Sequence, residues 1–203
     1  VPTPEQILSG LQLIANRAQP VGTLWHIAVI IALIAIISGW RPTRRTIALA
    51  LVLPLMSVAI VAFLHEGFFN GAMFTVAALA LALLGRHVPE DRPGRPSRSV
   101  LVLGIAMTIL GFVYPHFLQG GSYLWYLYSG PLGELPCPTI YFVIGLTLLS
   151  DGVGSRAWSL ILAALAWFYG VVGVAKLGVW LDAGLVVGAA GLVAHTFTPA
   201  RKA

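Results

Sequence analysis

Charge is what this chain has least of. Of its 203 residues only 9% are charged and 58% are hydrophobic, with a mean hydropathy of +0.89. A soluble domain carries about 25% charged residues, so a water-soluble fold and a disordered chain are excluded. The single cysteine, Cys137, excludes an intrachain disulfide framework. No P-loop, no GxGxxG after a strand, no GxSxG elbow and no CxxCH is present, which argues against ATP-driven transport by this chain alone. No inverted repeat of the kind common in transporters is visible.

Long apolar runs are what the chain has instead. A membrane span needs about 20 mostly apolar residues. Seven stretches qualify or come close: 21–40, 46–64, 68–84, 99–118, 137–150, 157–174 and 183–197. The expected fold is an all-α polytopic membrane helix bundle, one integral membrane domain over 1–203, with seven transmembrane helices preceded by an amphipathic helix over 3–18. Thr3, Pro4 and Gln6 form a helix start of the capping-box type. Ile7, Leu11, Ile14 and Ala18 then recur at helical spacing. Such a helix either lies in the membrane interface or packs on the bundle. It is too polar for a secretory signal peptide. Pro54 falls inside the second span, where it removes one backbone hydrogen bond and is expected to kink the helix.

Seven crossings predict a sorting of charge. Arg41, Arg44, Arg45, Arg86, Arg92, Arg95, Arg98, Arg156, Arg201 and Lys202 fall on one side, and only Arg17 and Lys176 on the other. By the positive-inside rule the C-terminus is cytoplasmic and the N-terminal helix outside, as in a bacterial inner-membrane protein whose main partner is the lipid bilayer. The basic pI near 9.8 is then an orientation device. Nucleic acid is not an expected partner, because the aromatics and the arginines lie on opposite sides.

The outer side collects the reactive groups. His26, His65, Glu66 and His116 are candidate ligands for a transition-metal ion, since imidazole and carboxylate suit zinc, iron or copper. No two share an i, i+4 spacing, so such a site would be tertiary. The other reading is separate histidines, each satisfied by water. Tyr123, Trp125, Tyr126 and Tyr128 make an aromatic loop with Gly120, Gly121, Gly130 and Gly133. Glu134 and Pro136-Cys137-Pro138-Thr139 follow. A helix starting at this motif is short, and its N-terminus favours an anion or a thiolate. Cys137 is therefore either a soft-metal ligand or redox thiol, or a small buried cysteine in a proline-set helix start. Lys176 and Asp182 pair across their turn or meet water, or else relay a proton; Lys176 lacks the mid-span setting of a retinal lysine. Gly184, Gly188 and Gly191 form a small-residue seam that serves intramolecular packing or a homodimer through Gly184 and Gly188.

The residues His65, Phe69 and Asn70, then Pro136-Cys137-Pro138-Thr139 with Phe142 and Gly145, and Asp182-Ala-Gly184-Leu, resemble a domain-of-unknown-function family of small bacterial polytopic membrane proteins. The resemblance implies topology and a bacterial origin, and no activity. The functional expectation is an outward-facing pocket walled by the aromatic loop, the Cys137 helix start and the His65-Glu66 turn. It would bind, or allow passage of, a small ligand or soft metal ion, with Cys137, Glu134, Tyr123, Trp125 and Tyr126 as contacts. Two alternatives stand beside it. One is an intramembrane metal-dependent hydrolase using His26, His65 and His116, with Glu66 as general base. The other is a non-catalytic accessory subunit of a membrane complex.

Overall fold

The computed structural model describes residues 3–119 and 122–198. Gly120, Gly121, Arg201 and Lys202, which figure in the readings above, lie outside the described residues. The described chain is all-helical: α1 (Pro4–Arg17), α2 (Gln19–Ile37), α3 (Arg44–Leu64), α4 (Phe68–Gly85), α5 (Arg98–Val113), α6 (Tyr126–Ser129), α7 (Pro136–Leu149), α8 (Arg156–Ala175) and α9 (Ala183–Phe197). Five helices are long and apolar enough to cross a membrane: α2, α3, α4, α8, and α9 taken with the short turn Trp180–Asp182 before it. The two other long apolar helices, α5 and α7, are shorter.

α7 is the axis of the bundle. Nearly all its side chains are buried, from Pro136 to Leu148, and α3, α5, α8 and α9 surround it. Its closest partner is α5, because Gly104, Gly111 and Gly145 leave no room for a Cβ between the two backbones. Small residues permit this approach where the hydrophobic drive between helices is weak. Gly184, Gly188 and Gly191 of α9 work the same way. A methyl group on them would strike Tyr141, Met107 and Leu103 respectively. The glycine seam is thus occupied within the chain: of its two readings, packing within the chain, on α5 and α7, is the one these contacts serve, and not a homodimer through Gly184 and Gly188.

At 14 residues α7 is only about 21 Å long. It starts below the end of the bundle and leaves a cleft above its first turn. α1 closes one side of that cleft. Its capping box is complete: the Thr3 amide donates to Gln6 Oε1 at 2.9 Å and the Gln6 amide to Thr3 Oγ1 at 3.3 Å. Its apolar stripe packs inward, with Ile14 and Ala15 against Val61 and Leu135. Asn16 donates to the Phe117 carbonyl at 3.0 Å and accepts from the Gln119 amide at 3.0 Å. Of the two readings of this helix, packing on the bundle describes its apolar face.

One expected boundary needs correction. The fourth span ends at Val113, five residues before 118, because Pro115 has no N–H and restricts Tyr114 before it. α3, by contrast, runs unbroken from Arg44 through Pro54 to Leu64.

The opposite end of the bundle gathers the loops 38–43, 86–97 and 150–155. Arg44 bonds Asp151 at 2.9 Å and lies 3.6 Å from Asp91. Arg45 pairs with Glu90, and His195 Nε2 is 3.3 Å from Asp151. Residues Asp151–Gly154 form a left-handed turn with φ of 54°, 64°, 49° and 71°. Two of the four are glycines, which adopt positive φ without strain. A side chain at Gly154 would meet the Arg44 guanidinium at 2.5 Å.

Candidate functional site

The cleft above α7 has a volume of about 630 Å³, within the range of about 300–1,000 Å³ common for small-molecule sites. Its floor is the start of α7, with Pro136, Cys137 and Pro138. Its walls come from α1, the start of α4, and the end of α8. The lining is overwhelmingly apolar, with Ile7, Leu11, Phe68, Phe117, Phe168 and Val172 among it.

One acid sits at the floor. Asp182 is 2% exposed and occupies a space that exists because residue 173 is glycine; a Cβ there would collide with its carboxylate. Tyr114, fully buried, donates its hydroxyl to Asp182 Oδ1 at 2.6 Å. Cys137 donates its thiol to Oδ2 at 3.2 Å. Two anions at that separation would repel, so Cys137 acts here as a thiol donor and not as a thiolate. The local sequence agrees: Pro136 and Pro138 have no N–H, which strips donors from the first turn of α7 that would otherwise favour negative charge. Tyr141, one turn further on, donates to the Leu181 carbonyl and fixes the approach to Asp182. On the α8 side, Tyr169 donates to Asn70 Oδ1 at 2.9 Å. The expected Lys176–Asp182 pair is not formed. Lys176 is exposed at the rim, and Asp182 turns inward to its two neutral donors.

The other predicted site residues are distributed differently from the expectation. Glu66 lines the cleft rim, in the left-handed region at φ 62°. The aromatic loop is not a wall of the cleft. Tyr123 is 84% exposed, and Tyr126 turns its hydroxyl to the Leu118 backbone. Trp125 is half-buried beside them and does not line the cleft either. α6 packs instead against α2. Glu134 also faces away from the cleft. It is 1% exposed, and its Oε1 accepts the Gly22 amide of α2 at 2.6 Å while Oε2 has no partner. Burial pushes its pKa up to about 8. The carboxyl thus caps the first turn of α2 in a largely neutral form.

The four candidate metal ligands do not converge. His26 is 1% exposed; its Nδ1 lies 2.8 Å from the Gly22 carbonyl and its Nε2 2.9 Å from the Phe112 carbonyl. Both ring nitrogens are therefore taken by backbone. His65 Nδ1 is held by the Val61 carbonyl at 2.9 Å. His116 is exposed, with its ring edge-on to Phe117. Among the described residues no three His, Cys, Asp or Glu side chains are placed to hold a metal ion.

Sequence reasoning gathered Cys137, Glu66 and Asp182 to one end of the bundle, and the cleft lining includes all three. It missed Tyr114, Tyr141 and Tyr169, and singled out Asn70 only as part of a family pattern. The available signal was Asp182 itself, an acid in a long apolar run, which demands buried donors nearby. Compared with known protein families, curated proteins and solved structures, the chain matches none.

Proposed function

We infer that the chain is a seven-span integral protein of a bacterial inner membrane that binds a small, largely apolar ligand in a cleft open to the outer side. α5 and α7 complete the seven crossings, α5 as a helix ended by Pro115 and α7 as a helix shortened by burial inside the bundle. The loops carrying Arg41, Arg86, Arg92 and Arg95 meet at the end remote from the cleft, which by the positive-inside rule is the cytoplasmic end. The observation that carries the ligand reading is the 630 Å³ cleft itself: an apolar cavity with a few convergent polar groups at its floor. A small organic ligand suits it better than a metal ion, because the histidines stand apart.

The test is native mass spectrometry of the protein released from lipid nanodiscs, on wild type and a cleft-filling variant, Val172→Trp. A small molecule retained by wild type and lost from a variant with unchanged melting supports the reading. The same adducts on both, or none on either, overturns it.

A further inference from the structure

The geometry points to a lipophilic monovalent cation as the occupant of the cleft, with Asp182 as its counter-ion. This rests on the ligand reading just given and names the ligand's charge and class. The first observation is electrostatic. Asp182 has both carboxylate oxygens committed as acceptors, one to the Tyr114 hydroxyl and one to the Cys137 thiol. Each donor is neutral, and neither oxygen has a lysine, arginine or histidine within ion-pair distance among the described residues. A buried carboxylate that is ionised is ordinarily paired with a cation or a metal. This one is paired with neither, and it faces a cavity.

The second observation is the wall. Phe68, Phe69, Phe117, Phe168 and Tyr169 all line the cleft. Phe168 lies 5.9 Å from Phe69 at 43° and 5.2 Å from Tyr169 at 89°, centroid to centroid. Rings set at such angles present both faces and edges to one space. Aromatic faces attract cations, and they do so more strongly where water is excluded. An apolar aromatic wall in the same cleft as an acid with no cation disfavours an anion and gives a neutral molecule no use for the acid.

The third observation is the rim. Glu66 and Lys176 are both exposed there and offset one another. With the rim charges offset, the charge left to meet a bound cation is that of Asp182 in its ionised form. Lys176 keeps its ammonium in water on a flexible stem and makes no bond to Asp182, so it does not occupy the counter-ion position.

The experiment uses three probes of similar bulk on the full chain in lipid nanodiscs, with empty nanodiscs subtracted: tetraphenylphosphonium, triphenylphosphine oxide and tetraphenylborate. Calorimetric titration is expected to give saturable binding of the cation at least tenfold tighter than of the neutral or the anionic probe. Asp182→Asn keeps an acceptor for Tyr114 and is expected to abolish that preference while leaving the neutral probe's affinity within twofold. If Asp182→Asn fails to fold, the wild-type ratio of the three probes still decides. Neutral or anionic probe binding as tightly as the cation, and blocked by Val172→Trp, overturns the cation assignment and leaves the ligand cleft standing. Absence of saturable binding of every probe, with no adduct in the native mass spectra, overturns both.

Discussion

The two ends of this bundle solve the same problem in opposite ways. At the arginine-bearing end every acid has a cation: Asp151 has Arg44 and His195, Asp91 has Arg44, and Glu90 has Arg45. At the cleft end the two buried acids have none. Asp182 rests on a hydroxyl and a thiol, and Glu134 on one backbone amide. The arginine-end acids are also the more exposed, with side chains 34–67% accessible, so water shares their solvation. Where charge can be paired cheaply at a wet surface the chain pairs it. Where pairing would be worth most it leaves a carboxyl without a cation. That asymmetry is the physical basis of the site proposed at the cleft end, because a buried carboxyl without a cation is costly to keep ionised.

The largest test of this contrast is pH. Glu134 lies in the turn between α6 and α7, and burial raises its pKa from the ordinary 4.5 to about 8. The folded chain therefore holds a proton that the unfolded chain has released between those two values. Its contribution to stability is complete below about pH 4.5 and is lost as pH rises to about 8, a span on the order of 4 kcal/mol. Thermal unfolding in detergent at intervals between pH 4.5 and 8.5 should show the melting temperature falling with pH. Glu134→Gln, which keeps an acceptor for the Gly22 amide, should flatten the profile. A wild-type profile already flat over that range would mean Glu134 is solvated as the arginine-end acids are.

Next in size is Asp182→Ala. It leaves the buried Tyr114 hydroxyl and Cys137 thiol without an acceptor, at a cost of about 3 kcal/mol. Because Asp182 is buried and both its donors are neutral, the loss should be the same at low and at high salt. Equilibrium unfolding of wild type and variant at two ionic strengths checks both points, and a loss that shrinks with salt would place Asp182 in contact with solvent.

The helices of this fold were legible and their rotations were not. The last helix begins and ends where the apolar run does, at 183 and 197, and the Pro136 start of α7 follows from its two prolines. The capping box of α1 was readable from Thr3 and Gln6 alone. But α2, α3, α4 and α5 are apolar all round, so no stripe tells which face turns inward. That setting comes from glycine contacts such as Gly111 against Phe142 and Gly173 against Asp182, which become informative only when the partner helix is known. The histidines failed to converge for this reason. Their depth along each helix could be read, and their direction around it could not. Asp182 was visible as a lone acid, but its donors lie 68 and 45 residues away in sequence.

Arg44→Ala probes the other end. It removes the main partner of Asp151 and the cation beside Asp91, at a cost of about 1–2 kcal/mol for a partly exposed cluster. Here salt matters. In wild type the pairs are screened as ionic strength rises, so the difference between wild type and Arg44→Ala should narrow toward 1 M salt. The opposite behaviour of Arg44→Ala and Asp182→Ala in one salt series is the sharpest form of the contrast. Parallel behaviour would remove it.

The smallest expected effect concerns the wall of the cleft. Thr3→Ala breaks the capping box of α1 and costs that helix about 1 kcal/mol. α1 touches the core mainly through Ile14 and Ala15, so the loss should appear as local fraying near Ile7 and Leu11, with little change in global melting. Those two residues line the cleft beside Cys137, the chain's single thiol. Fraying there opens a path to it. A cost of about 1 kcal/mol corresponds to roughly a fivefold rise in the open population, and alkylation of Cys137 by a small maleimide should accelerate by about that factor. An unchanged rate would show that reagent enters between α4 and α8, and that α1 covers the bundle without gating the cleft.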